Sequence, residues 1–153
     1  LTIVGGGPLE QELHDLAKKL GLKNVIFTGM ISEEEKVKHI EKCDFLVLPS
    51  ISKAEAFALV QIEAMAFGKP VINTALPSGV PCVSINGVTG LTVQPGSLSE
   101  LTHAMDKMAE NNAMREKYGR QAFDMVQREY TPEKLAERHM QVFRELLNEG
   151  KVK

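Results

Sequence analysis

Residues 44–73 of the chain, DFLVLPSISKAEAFALVQIEAMAFGKPVIN, decide the class of fold. This stretch begins and ends with short apolar runs, Asp44–Pro49 and Pro70–Asn73, which are typical of buried strands. Between them lie a polar loop over residues 50–56 and an apolar helical segment that ends near Gly68. A strand, a helix and a second strand in this order predict a βαβ unit, in which the two strands are parallel.

The same alternation continues through the other parts of the 153-residue chain. Further strands are predicted at Leu1–Val4, Val25–Thr28 and Leu91–Val93, and amphipathic helical segments separate them. The last helix is predicted to begin at Pro132, after the N-cap residue Thr131. We therefore expect an α/β fold, a Rossmann-like three-layer α/β/α sandwich with a mainly parallel sheet, in a single domain over residues 1–153.

The composition argues against several classes of function. Lys and Arg total 18 against 20 Asp and Glu, and aromatic residues make up only 5%, so no basic or base-stacking surface for nucleic acid is expected. The two cysteines and four histidines do not have the spacing of a zinc site, and no metal is expected. No apolar run approaches the roughly 20 residues that span a bilayer. A cytoplasmic protein is the expectation.

Ligands of open parallel sheets bind at the carboxyl ends of the strands, so the loops after the strands are the candidate sites. The loop after Asp44–Pro49 leads into a helix, and the free N–H groups and dipole of a helix N-terminus favour an anion. Glu55 lies just before this helix and Glu63 lies within it, among apolar neighbours. A carboxylate in such surroundings is costly without partners, which suggests sugar hydroxyls at the acids and phosphates on the amides.

This segment also resembles a known motif. Glu55 and Glu63 are separated by seven residues and followed by Ala-Met-Ala-x-Gly-x-Pro-Val-Ile. The pattern resembles the donor-binding motif of retaining GT-B glycosyltransferases, in particular the group 1 hexosyltransferases that build bacterial surface polysaccharides and glycolipids. Four other stretches resemble the same family, so that the likeness covers nearly the whole chain: Ile3–Pro8, Val25–Gly29, Phe45–Ser50 and Gly87–Gly96.

The resemblance implies a role for each matched residue. Glu55 takes the place of the acid that contacts the donor sugar beside the reacting carbon, and is the predicted catalytic residue. Glu63 takes the place of the acid that holds the ribose hydroxyls. The remaining donor-binding residues are the amides that hold the diphosphate, Phe57, Ala58, Leu59 and Val60, and the segment that borders the base, Gly29, Met30 and Ile31. The resemblance implies a nucleoside diphosphate sugar as the donor, in particular a UDP-sugar. It implies neither a cofactor nor a metal ion for the reaction.

Two features depart from the family pattern. The family commonly has glycine where Ala56 and Ala58 stand, and Ala58 is expected to fit the turn only with a negative φ. The Arg and Lys phosphate clamp and the N-terminal acceptor-binding domain of the family have no counterpart in this chain. We therefore expect a domain fragment that is inactive alone. The parent enzyme is expected to use a glycan or lipid-linked acceptor at the inner face of the membrane, with peripheral membrane association.

Two other readings of the sequence stay open. A GT-B-fold nucleotide-sugar epimerase would share the fold and donor, although the Glu55–Glu63 spacing argues against it. A flavodoxin-like binding module would have no chemistry, and its receiver form needs an acidic cluster at the mouth of the sheet. Asp44 begins its strand rather than ending it, so that cluster is not expected.

Overall fold

The structure is a computed structural model that describes residues 1–148, and the chain divides into two compact units. The first unit, Leu1–Lys42, contains β1 (Thr2–Ile3), α1 (Glu10–Lys19), β2 (Ile26–Phe27) and α2 (Glu33–Lys42). Strands β1 and β2 are parallel. A capping box begins α2: Ser32 N donates to Glu35 Oε2 at 2.9 Å, and Glu35 N donates to Ser32 Oγ at 3.3 Å.

The second unit begins at Cys43 and contains the longer part of the chain. Its elements are β3 (Leu46–Val47), α3 (Leu59–Ala66), β4 (Val71–Thr74), α4 (Val80–Val83), β5 (Gly90–Val93), α5 (Leu98–Glu110), α6 (Asn112–Glu129) and α7 (Pro132–Asn148). The strand order is β3-β4-β5, and both pairs are parallel. The predicted βαβ unit over residues 44–73 is therefore present, and the α/β fold with parallel strands is confirmed.

The central strand β4 is buried along its whole length, because β3 and β5 flank it and helices pack against it. The core of this unit lies between the sheet and helices α5 and α6. Five buried side chains form its centre: Ile72, Val93, Ala104, Met108 and Tyr118. The sheet that carries the candidate site therefore packs on a buried apolar cluster.

Two details differ from the sequence prediction. The strands of the described residues group into a two-stranded and a three-stranded sheet, where one mainly parallel sheet was expected. The glycine, proline and serine residues of the stretch 74–90 favour loops, yet this stretch contains the short helix α4. Pro81 lies in the first turn of α4, where a missing N–H costs nothing. The single donor-binding domain over residues 1–153 stays a prediction.

The last helix, α7, begins at Pro132 as predicted, and no described residue of it is buried. Its apolar stripe is exposed to solvent, at Leu135, Met140, Phe143 and Leu147. None of the helices in residues 1–148 is both long and apolar enough to cross a membrane.

Candidate active site

The site is built around the turn of residues 56–58, which joins the loop after β3 to helix α3. Ala58 is the N-cap of α3, and no side chain of the described residues caps this helix end. The main-chain carbonyl of Ala58 accepts a hydrogen bond from Gln61 N at 3.0 Å, which closes the first turn. A helix N-terminus without a side-chain cap leaves main-chain N–H groups that can bind an anion, and anion binding here stays a prediction.

Ala58 departs from the expectation. Its φ of 59° and ψ of 75° place it in the left-handed region, and it is the only non-glycine residue with positive φ in the described part of the chain. The expectation of a negative φ is wrong. The turn keeps the backbone shape that a glycine would adopt, and the alanine carries a strain of about 1–2 kcal/mol. The packing of the neighbouring loops therefore overrides the local preference.

Replacing Ala58 by glycine is expected to raise the free energy of unfolding by about 0.5–1 kcal/mol. Glycine relieves a strain of about 1–2 kcal/mol, and the greater freedom of the unfolded chain cancels part of that gain. Urea denaturation of the wild type and the variant measures the difference. Ala56→Gly is the matched control, because Ala56 is exposed and has no positive φ, and it should destabilise the fold. A loss of stability in Ala58→Gly equal to that of the control would contradict the prediction.

Glu55 lies in the loop before the turn and is half-buried. Its Oε2 accepts a hydrogen bond from Ser50 Oγ at 3.4 Å, and its main-chain N–H donates to the carbonyl of Ser52 at 3.1 Å. The carbonyl of Ser50 accepts from Thr74 Oγ1 at 2.6 Å. The loop that carries Glu55 is thus attached to the carboxyl ends of both β3 and β4.

Glu63 lies in the second turn of α3 and is half-buried, with its Oε2 atom shielded from solvent. The helix is not as uniformly buried as its apolar sequence indicated. Ala64 and Met65 are fully buried, but Leu59, one helical turn before Glu63, is 66% exposed. Leu59 and Glu63 lie four residues apart, so they occupy the same face of α3. This face is the one that carries the carboxylate predicted to hold a ribose.

The loop after β4 packs directly against the 56–58 turn. The N–H of Gly79 donates to the carbonyl of Ala56 at 2.7 Å. A Cβ atom at Gly79 would lie 2.7 Å from Cδ2 of Phe57, so only glycine allows this approach. The ring centroids of Tyr130 and Phe57 lie 6.4 Å apart, and the two rings pack edge to face. Burial raises the pKa of the Tyr130 hydroxyl. Phe57 is therefore held from two sides.

Two site residues were missed by the sequence analysis. Gln61 and Asn73 are fully buried, and their amides form a hydrogen-bonded pair beneath the turn. Each amide directly follows or lies between apolar residues of a buried element, Val60-Gln61-Ile62 and Val71-Ile72-Asn73, and that placement is the signal that could have found them. A buried amide needs partners, so it marks a place where backbone groups or other polar side chains converge.

The segment predicted to border the base lies in the first unit, after β2. Gly29 has a φ of 63°, and its carbonyl accepts a hydrogen bond from Gly5 N at 3.0 Å. Met30 is 83% exposed, and Ile31 is half-buried. The glycine therefore turns the chain after the strand and presents Met30 to solvent. No group of three or more His, Cys, Asp or Glu within residues 1–148 could hold a metal ion.

The fold and the site define a class: an α/β fold in which a turn at a helix N-terminus lies between two acids at the carboxyl end of a parallel sheet. Residues 1–125 match the family described as glycosyl transferases group 1, and the chain belongs to this family. It is 30% identical over 147 residues to the O-antigen chain mannosyltransferase C of Escherichia coli, covering 96% of this chain and 40% of that protein. It is 37% identical over 122 residues to the D-rhamnosyltransferase WbpZ of Pseudomonas aeruginosa, covering 80% of this chain and 32% of that protein.

Solved structures show the same fold. Anabaena HepE in complex with UDP superposes with a TM-score of 0.81 at 25% identity, covering 95% of this chain and 40% of that one. Sucrose-phosphate synthase from Thermosynechococcus elongatus superposes with a TM-score of 0.79 at 28% identity, covering 97% of this chain and 38% of that one. The chain thus spans less than half the length of these relatives, whose GT-B fold agrees with the Rossmann-like architecture predicted from the sequence.

Proposed function

We propose that the chain is the donor-binding half of a retaining glycosyltransferase. The parent enzyme transfers a hexose from a nucleoside diphosphate sugar, a UDP-sugar, to a glycan or lipid-linked acceptor in surface polysaccharide biosynthesis. The family match supports transfer of a sugar, and the HepE complex with UDP supports the nucleotide. The name of the E. coli relative, an O-antigen chain mannosyltransferase, supports a polysaccharide product.

The observation that carries the proposal is the 56–58 turn at the N-terminus of α3, between two half-buried carboxylates. In this proposal the amides of residues 57–60 bind the diphosphate, which is the leaving group. N–H groups that already point at the leaving phosphate stabilise the negative charge that develops on it. This stabilisation is greater in the transition state than in the ground state. Glu63 binds the ribose hydroxyls, and the contact of Gly29–Ile31 with the base stays a prediction.

Glu55 lies before the turn, on the side that the donor sugar would occupy. A carboxylate there stabilises the positive charge of an oxocarbenium-like transition state through its field. In this proposal the acceptor-binding site and the cationic phosphate clamp lie in the other half of the parent enzyme. Closure of the two halves over the donor would exclude water. In this proposal the parent enzyme acts in the cytoplasm and binds peripherally to the inner face of the membrane.

Nucleotide binding by the full-length protein tests the proposal. Thermal unfolding is recorded with UDP, GDP, ADP and CMP, each bare and with common sugars attached. A ligand at 100 times its Kd adds about 2.7 kcal/mol of stability. Because removing a hydrogen bond to a charged group costs about 1.5–3 kcal/mol, Glu63→Ala should retain about 1.3 kcal/mol of this stabilisation or less.

Glu110→Ala is the control for this test. Glu110 is an exposed acid at the end of α5, so its loss should leave nucleotide binding unchanged. Stabilisation by no nucleotide would contradict the donor-site proposal and would favour a binding module without chemistry. Conversion of the nucleotide sugar into its epimer in the absence of an acceptor would favour the epimerase instead.

A further inference from the structure

A chain of hydrogen bonds runs beneath the 56–58 turn. Gln61 Nε2 donates to the carbonyl of Phe57 at 3.3 Å and to that of Val80 at 3.2 Å. Asn73 Nδ2 donates to Gln61 Oε1 at 2.9 Å, and Thr92 Oγ1 donates to Asn73 Oδ1 at 2.7 Å. The chain therefore crosses from β5 through β4 and α3 to the turn.

The direction of every bond in this chain is forced. Main-chain carbonyls only accept hydrogen bonds, so the NH₂ groups of both amides must face them. Asn73 Nδ2 also lies 3.1 Å from the carbonyl of Val80 and 3.2 Å from that of Ser84. If either amide were flipped, its oxygen would face carbonyl oxygens. Gln61 consequently always presents a donor to Phe57.

This donor sets the direction of the neighbouring amides. The described residues contain no cis peptide bond, and in a trans peptide the C=O and the next N–H point in opposite directions. Because the carbonyl of Phe57 points to the Gln61 side chain, the N–H of Ala58 points away from it. The carbonyl of Ala58 accepts from Gln61 N, so the N–H of Leu59 also points away. Two successive N–H groups directed outward form a concavity that suits an anion.

Stability alone does not require these amides. Replacing both partners of a buried hydrogen bond with apolar groups of the same shape is often nearly neutral. Gln61 is surrounded in sequence by Val60 and Ile62, and Asn73 follows Ile72, so apolar residues would suit the pattern. What an apolar pair could not supply is a donor to the carbonyl of Phe57.

We propose that Gln61 is a positioning residue, which Asn73 and Thr92 hold in place and which turns the amides of Ala58 and Leu59 toward the diphosphate. This inference rests on the proposed function. The inference adds that buried side chains orient the 56–58 turn. These side chains control the affinity for the diphosphate rather than for the nucleoside.

The test compares two ligands that differ by one phosphate. Titration calorimetry on the full-length protein measures the Kd of UDP and of UMP, or of GDP and GMP if guanine nucleotides are those that bind. Gln61→Met keeps the length of the side chain and removes the donor. We expect the ratio of diphosphate to monophosphate affinity to fall about tenfold.

Two further variants make the result decisive. Met108→Ala destabilises the core away from the turn and should leave the ratio unchanged. Thr92→Val removes the hydroxyl that donates to Asn73 Oδ1. Because Thr92 is only half-buried, this variant should fold even if Gln61→Met does not. It should also lower the ratio of diphosphate to monophosphate affinity, by a smaller factor than Gln61→Met.

The outcomes separate the two proposals. A wild type that binds no nucleotide overturns the proposed function and this inference together. This inference alone is overturned if the wild type binds the diphosphate and the variants of Gln61 and Thr92 keep the wild-type ratio of diphosphate to monophosphate affinity.

Discussion

Replacing Gly119 by alanine is expected to lower the free energy of unfolding by about 3 kcal/mol, in the upper range of overpacked cores. Gly119 lies in the middle of α6, where this helix crosses the end of α3. A Cβ atom there would lie 2.1 Å from the carbonyl oxygen of Gly68 and 3.2 Å from its carbonyl carbon. Both contacts are to backbone, so no side chain can move aside and the two helices must separate.

The prediction opposes the local preference of the helix. Alanine in a helix interior is more favourable than glycine by about 0.5–1 kcal/mol, so the sequence alone predicts that this change stabilises. Urea denaturation gives the difference in unfolding free energy. Gly7→Ala is the matched control, because Gly7 has open space around its Cβ position and no positive φ. A Gly119→Ala protein as stable as the wild type would contradict the close approach of α3 and α6.

Replacing Glu55 by glutamine is expected to lower kcat of the full-length enzyme about 100- to 1,000-fold, the loss typical of removing one group that stabilises transition-state charge. Glutamine has the same shape and can still accept the hydrogen bond from Ser50 Oγ. The fold and the KM for the donor should therefore change little, because the interaction lost is one that strengthens in the transition state.

Initial rates at varied donor concentration separate kcat from KM. Glu34→Gln is the control: Glu34 is an exposed acid in the first turn of α2, and its neutralisation should leave both constants unchanged. A Glu55→Gln enzyme with at least half of the wild-type kcat would show that the carboxylate has no part in the chemistry.

Much of this architecture could be predicted from the sequence, because it depends on local patterns. The apolar runs around Leu46–Val47 and Val71–Thr74 each form a strand, since a run of that kind is stable only when covered on both faces. The start of the last helix at Pro132 was predicted because N-capping depends on a few neighbouring residues. The turn between Glu55 and Glu63 was predicted because a polar loop separates an apolar strand from an apolar helical segment there.

Helix α4 and the division of the strands into two sheets could not be predicted in this way. The segment 74–90 is dense in glycine, proline and serine, which local propensity associates with loops. Contacts with distant segments give it a fixed position: the N–H of Gly79 donates to the carbonyl of Ala56, and the carbonyl of Val80 accepts from Gln61 Nε2.

The sequence by itself determined the parallel α/β fold, the two acids and the turn between them, because each depends on residues close together in the chain. The tertiary structure alone decided three features: the left-handed conformation of Ala58, the burial of Gln61 against Asn73, and the close contact of Gly68 with Gly119. The physical reason is common to all three. Each depends on the distance between segments that are far apart in sequence, and packing at that distance outweighs the local preference of the residue.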